Sequence, residues 1–324
     1  MVRAGSGSRH TLMSAAHVVH PIPASRALTS VASAGMFVFG IVMALLGAVM
    51  PALSERLTFT LTDAGTLFLI MNFAMLMTSL VLGLAMDRFG MKLPLATGPW
   101  LVALALWIIA SASHYTDLLP AVACLGIGGG ALNGGTNTLV ADLHDDPRQK
   151  ASALNLLGVF FGFGALFLPF TLGALMSQFG TRGLLLITAG LCAATGVFAA
   201  ALRFPAPKQM HGLPLAQMPR FFGMPVVLAM AFLLFFQSGN EFVLGGYFAT
   251  FLTRELKVPI ETASYFLAGY WGAIMVARVV LSRLLLRFNA HSVVLGSALL
   301  SAAGALVVWA APCPAAAVTG IIIT

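Results

Sequence analysis

One stretch of the chain, Phe235-Phe236-Gln237-Ser238-Gly239-Asn240-Glu241-Phe242-Val243, sets a carboxylate inside an otherwise apolar run. On a helix, Gln237, Asn240 and Glu241 stand at i, i+3 and i+4 and share one face. If that helix crosses a bilayer, a charge near its centre costs about 2.5–3.5 kcal/mol on insertion scales. A lipid-facing surface rarely carries such a cost, so this face is expected to look into a polar cavity. The competing expectation is a structural hydrogen-bond knot between helices. In a cavity, Glu241 could bind a proton, accept hydrogen bonds from a hydroxylated solute, or pair with Arg278.

Other side chains could join it. Asn133 and Asn137 are four apart in a second apolar run and share a helix face. Asn155 lies in the next run, within Ala153-Leu154-Asn155-Leu156. Tyr247, Tyr270 and Trp271 could stack on the apolar face of a solute, although packing and interface anchoring are the commoner uses of such rings. Arg278 reads either as a gate that pairs with a carbonyl or carboxylate, or as a cation snorkelling to the membrane surface.

Enzyme chemistry finds no footing in the same residues. The seven histidines form no His-Glu-x-x-His pair, and no Gly-x-x-x-x-Gly-Lys phosphate loop is present. His144-Asp145-Asp146 reads as a solvated loop rather than a metal site. The glycine run Gly126-Ile127-Gly128-Gly129-Gly130 falls inside an apolar segment, where it suits close helix packing better than dinucleotide binding. The chain is therefore expected to be no enzyme and to need no cofactor or metal.

The elements that must position these residues follow from composition. The 324 residues are 59% hydrophobic and only 8% charged, with mean hydropathy +0.96. A soluble domain carries roughly 25% charged residues, so lipid must cover this surface. The net charge of +7 is spread through short gaps between apolar runs, which excludes a nucleic-acid face and points to membrane orientation. Runs of bilayer length, about 20 residues, lie near 28–53, 63–86, 94–113, 118–141, 151–177, 183–203, 223–252, 262–286 and 291–311, and a further run begins near Ala315. Cys124, Cys192 and Cys313 fall in or beside these runs and read as packing residues.

Residues 1–27 read as a disordered tail. Residues 204–222, with Pro205, Pro207 and Pro214, read as a linker between a six-helix bundle at 28–203 and a second bundle at 223–324. Arg88, Lys92, Arg148, Lys150, Arg203, Lys208 and Arg220 fall on the side of the tail, whereas Arg56, Arg182, Arg254 and Lys257 fall on the other. This bias places the N-terminus and the linker in the cytoplasm of a cell (inner) membrane.

Gly83-Leu84-Ala85-Met86-Asp87-Arg88-Phe89-Gly90-Met91-Lys92 follows the second run. It resembles the signature loop of the major facilitator superfamily, keeping Gly83, Asp87, Arg88, Gly90 and Lys92 and departing at Ala85, Met86 and Met91. In that loop Asp87, Arg88 and Lys92 would latch neighbouring helices on one side of the membrane. Tyr270-Trp271-Gly272 with Arg278, and the asparagines of the fourth and fifth runs, are similar to the fucose-permease-like branch of sugar transporters. The resemblance implies an all-α transmembrane fold of two six-helix bundles, the second incomplete here because the sequence stops early. It also implies a solute site between the bundles lined by Asn133, Asn137, Asn155, Gln237, Asn240, Glu241, Tyr247 and Trp271. Gating would fall to Asp87, Arg88, Lys92 and Arg278. The implied partners are a small-molecule solute, sugar-like by resemblance, a coupling proton or sodium ion, and the lipid bilayer, in a monomeric chain. Where proton-coupled members of the branch carry acids, this chain carries Gly47 and Asn133. An exporter of drug-like or amphipathic solutes and a non-transporting membrane sensor are the alternatives.

Overall fold

The structure, a computed structural model, describes residues 23–205, 223–284, 288–311 and 313–324. The expected tail up to residue 22 and the linker from residue 206 lie outside the described residues. Everything ordered into regular structure among the described residues is helical. The elements are α1 (Pro23–Leu57), α2 (Leu61–Phe89), α3 (Lys92–Ser111), α4 (Tyr115–Leu143), α5 (Pro147–Ala201), α6 (Pro225–Arg254), α7 (Ile260–Leu284), α8 (Ala290–Trp309) and α9 (Pro314–Ile323). Among the described residues, eight of these are long and apolar enough to cross a bilayer. The ten-residue α9 is apolar but shorter.

Two expected spans, 151–177 and 183–203, merge into α5, whose 55 residues would run about 80 Å at 1.5 Å per residue. A bilayer core is about 30 Å thick, so α5 serves two crossings. Gly180 breaks it, with φ 63° and ψ 166°, a region of backbone space that is open to glycine and essentially nothing else. Gly90 adopts nearly the same conformation, φ 78° and ψ 169°, between α2 and α3. The tight turn that the Gly90 position suggests is thus present. Helix α1 starts at Pro23, earlier than the apolar run that announces it.

Packing explains the glycine wealth of α4. A Cβ at Gly126 would strike the carbonyl of Met71 in α2, and one at Gly128 would lie 2.8 Å from the carbonyl of Gly98 in α3. Helix backbones therefore touch directly, the means by which lipid-embedded helices gain van der Waals contact. Helix α1 is central: it packs against α3, α4, α5, α6 and α7, and most of its side chains from Val31 to Leu53 are buried.

Two ends can be distinguished. At the end holding the α1–α2 and α3–α4 turns, Arg56 donates to the carbonyls of Ile109 (3.0 Å) and Ala112 (3.3 Å). There the Tyr115 hydroxyl donates to the Asp63 carbonyl at 3.1 Å, and Thr60 with Asp63 closes a capping box on α2. At the other end lie the α2–α3 and α4–α5 turns, the start of α6 and the end of α7.

Candidate functional site

Helices α1 and α2 meet α6 toward the first end. A Cβ at Gly47 would overlap the carbonyl oxygen of Gly245. The Phe68 and Tyr247 rings lie 5.2 Å apart, and Phe248, Ala249 and Leu252 are buried. Helices α5 and α7 close in the same way: Phe170 and Tyr265 rings are 6.0 Å apart, edge to face. This end is sealed.

Toward the other end the same helices part. Between the C-terminal half of α7, the first turns of α5, Thr29 of α1 and His144 at the end of α4 lies an open cavity of about 1370 Å³. Its polar lining is Thr29, His144, Gln149, Ser152, Asn155 and Arg278; its apolar lining includes Val159, Met275 and Val279. All of α6 from residue 225 to 240 is exposed.

Asn155 and Arg278, both expected to be functional, therefore share this cavity. The Arg278 guanidinium sits 5.6 Å from the centre of the Phe161 ring. A Cβ at Gly158 would come within 3.3 Å of one of its nitrogens. The sequence suggested an ion pair between Arg278 and Glu241. The structure instead pairs Glu241 with Gln237, whose Nε2 donates to Oε2 at 3.0 Å.

Glu241 lies one turn from Gly245, and Gln237 one turn further, on the face of α6 that meets α1 and α7. Glu241 is half-buried. It stands one turn from the Gly245 contact and is not among the residues that line the cavity. Asn240, exposed, is one turn from Leu244 and two from Tyr247 and Phe248, nearer α2.

On α4, Asn133 and Asn137 are both half-buried. The Asn137 amide donates to the backbone carbonyl of Asn133 (2.8 Å) and to its side-chain oxygen (3.0 Å). One turn earlier, Gly129 faces Val42 of α1 and Met75 of α2, so the pair looks toward the groove between those helices. Trp271 is different. It is 2% exposed, set edge to face against Phe161 (6.2 Å) and Tyr270 (5.4 Å), and its indole N–H has no partner among the described residues. In this conformation its ring is enclosed by aromatic neighbours.

The loop residues lie at the open end. Asp87 is half-buried, while Arg88 and Lys92 are exposed. Arg88 lies over the Phe89 ring at 5.4 Å. Among the described residues, Asp87 has no ion pair. The latch that these residues could make is unmade at the end where the helices part.

Several residues of the site escape the sequence reading. His144, read as a loop residue, lines the cavity with its Nδ1 3.0 Å from the Val140 carbonyl. Gln149 and Ser152 carried no motif; their one signal was their place in the first turns of the helix that bears Asn155. Gly47, read only as the lack of an acid, is the point of backbone contact between α1 and α6.

Long apolar helices, backbone contacts through glycine and a cleft sealed at one end define a polytopic α-helical membrane protein. The sequence model of the Major Facilitator Superfamily matches residues 32–324. The chain belongs to this superfamily, which places it among membrane transporters rather than enzymes. Solved structures share the fold. A bacterial homolog of the human lysosomal transporter Spinster, inward-facing and unoccupied, superposes with TM-score 0.74 at 13% identity, over 94% of this chain and 73% of that one. The D-xylose-proton symporter gives 0.71 at 14% identity, over 92% and 78%. The E. coli fucose:proton symporter gives 0.65 at 18% identity, over 93% and 80%. Among curated proteins, the probable vesicular acetylcholine transporter-B of Danio rerio is 29% identical over 133 residues, 41% of this chain. The matched segment spans 27% of that relative's length.

Proposed function

We propose that the chain is a secondary carrier that moves a small polar, sugar-like solute by alternating access. The observation that carries this reading is the asymmetry of the cleft. Gly47 against Gly245 and Phe68 against Tyr247 close one end, while about 1370 Å³ opens at the other. A carrier needs two such arrangements of similar free energy, whose balance the bound solute shifts. The structure has the shape of one of them.

The division into bundles at 28–203 and 223–324, joined by a linker at 204–222, supplies the rocking bodies. The charge bias places the tail, the linker and the open end in the cytoplasm of the cell membrane. Asn155 lies in the cavity, and Gln237, Asn240, Glu241, Asn133 and Asn137 stand on faces beside the opening. Tyr247 and Trp271 sit at its closed roof, to be uncovered when the other end opens. Asp87, Arg88, Lys92 and Arg278 lie where a latch would form once the open end shuts. Solved relatives by fold include symporters for D-xylose and fucose with protons, which supports a sugar-like solute, and Glu241 is the carboxylate placed to take a coupling proton, with a sodium ion the alternative. An amphipathic cargo would favour a wall of Phe and Met. The described apolar lining is mostly leucine and valine, with no phenylalanine and Met275 its one methionine, and Gln149, Ser152, Asn155 and Arg278 are set among them; those polar groups favour a polar cargo.

The test is uptake into proteoliposomes under an imposed pH gradient, first with a panel of sugars, then with Glu241→Gln. The variant is expected to insert normally and to lose gradient-driven accumulation by about tenfold or more, the loss of one ionising group in the coupling step. Equal accumulation and equal pH dependence in both proteins would remove Glu241 from that role.

A further inference from the structure

The cavity has a charge that its walls do not answer. Among the described residues, Arg278 is the one lysine or arginine of its lining, which includes no aspartate or glutamate. All ten carboxylates of the chain are among the described residues, and none lies within ion-pair distance of the Arg278 guanidinium. Its charged group is set over the Phe161 ring instead. A cation–π contact offsets only part of the cost of keeping a guanidinium within a membrane-spanning helix. The side chain is exposed, and the space it faces is the cavity. Water that reaches the cavity covers part of that cost. An anion would cover more, with two parallel N–H donors that fit a carboxylate or phosphate.

The neighbours suit the rest of such a molecule. Gln149, Ser152, Asn155 and Thr29 offer amide and hydroxyl groups along the same wall, which can bond hydroxyls but cannot neutralise a charge. Met275, Val276 and Val159 supply apolar surface.

We propose that Arg278 is the anion-binding residue of the solute site and that the solute is a small hydroxylated organic anion carrying a carboxylate or a phosphate group. This rests on the carrier reading above and narrows its substrate class. Gly158 contributes by being small: a side chain there would occupy the position next to the guanidinium.

The test is isothermal titration of the purified chain in nanodiscs of zwitterionic lipid with D-glucuronate, D-glucose 6-phosphate and D-glucose, followed by counterflow of the same three in proteoliposomes. At least one of the two anions should bind about tenfold or more tightly than glucose, and which one does so separates carboxylate from phosphate recognition. Arg278→Gln should weaken the preferred anion by about 10- to 100-fold, the range for losing a charged hydrogen bond, and weaken glucose far less, so that the preference between them collapses. Arg278→Lys should retain part of the preference, because an ammonium keeps the charge without the planar fork. If the glutamine variant does not fold by gel filtration and thermal melt, the lysine variant carries the comparison, with a smaller but measurable loss. Glucose binding as tightly as both anions, or a preference that survives in Arg278→Gln, overturns the proposal while leaving the carrier intact. Failure of all three solutes to bind or exchange overturns both.

Discussion

The two ends of this molecule are built from the same helices and held by opposite means. At the sealed end, helices meet backbone to backbone and polar groups bridge the turns. Gly47 abuts Gly245, Arg56 spans to the last carbonyls of α3, and Tyr115 reaches the first turn of α2. At the open end, the charged groups Arg88, Lys92 and Arg278 are exposed, and bulky side chains such as Phe232, Phe235 and Phe236 project from α6. Helix α6 shows both behaviours along one length. The half that carries Gly245 and Gly246 packs against α1 and α2, and the half that carries Phe232, Phe235 and Phe236 is exposed. Close approach goes where side chains are absent, because dispersion contact is gained only when two surfaces meet without a gap.

The strongest way to break this contrast is Gly47→Val. The new side chain would start inside the carbonyl of Gly245, and backbone cannot rotate away as a side-chain tip can. Overpacking costs about 1–3 kcal/mol in general, and a clash against backbone belongs at the top of that range. The purified variant should show the largest fall in melting temperature of any single substitution on α1. An unchanged melting temperature would mean that α1 and α6 are not in contact at the sealed end.

Arg56→Met tests the polar half of the same seal. Arg56 donates to two carbonyls left free at the end of α3, as cations near helix C-termini do. Hydrogen bonds from charged groups contribute about 1.5–3 kcal/mol each when desolvated, and less where water reaches them. The expected cost is about 1 kcal/mol, below that of Gly47→Val, because Arg56 is partly hydrated and water replaces part of what is lost. Chemical denaturation in mixed micelles would read it.

How far the sequence already carried this picture depends on the range of the interaction. Spans follow from local hydropathy, so their number and order are legible; the merging of two of them into α5 changes only where the break is counted, at Gly180. Gly90 is legible too, since a turn of two or three residues between α2 and α3 demands a glycine conformation. The face shared by Gln237 and Glu241 follows from helical spacing, and their hydrogen bond agrees with it. What local pattern cannot show is which glycine meets which backbone. Gly47 and Gly245 are almost two hundred positions apart, and nothing in either neighbourhood names the other. The surroundings of Arg278 are hidden for the same reason, because its aromatic partner Phe161 and the cavity residues Thr29, His144 and Asn155 lie more than a hundred positions earlier in the chain.

The gentlest test sharpens the comparison from the open half of α6. Gly239 has nothing within 4 Å of where a Cβ would be, in contrast to Gly47 and to Gly246, whose added Cβ would lie 2.6 Å from the Phe68 ring. Alanine is favoured over glycine within a helix by about 0.8–1.0 kcal/mol in water, and a bilayer already suppresses unwound backbone, which reduces that advantage. Gly239→Ala should therefore leave the melting temperature unchanged or raise it by a degree or two, while Gly246→Ala on the same helix lowers it, since the Phe68 ring must turn aside. Two identical chemical changes, seven residues apart, then differ in sign. That difference arises from the distance between helices and not from helix propensity, which is common to both sites.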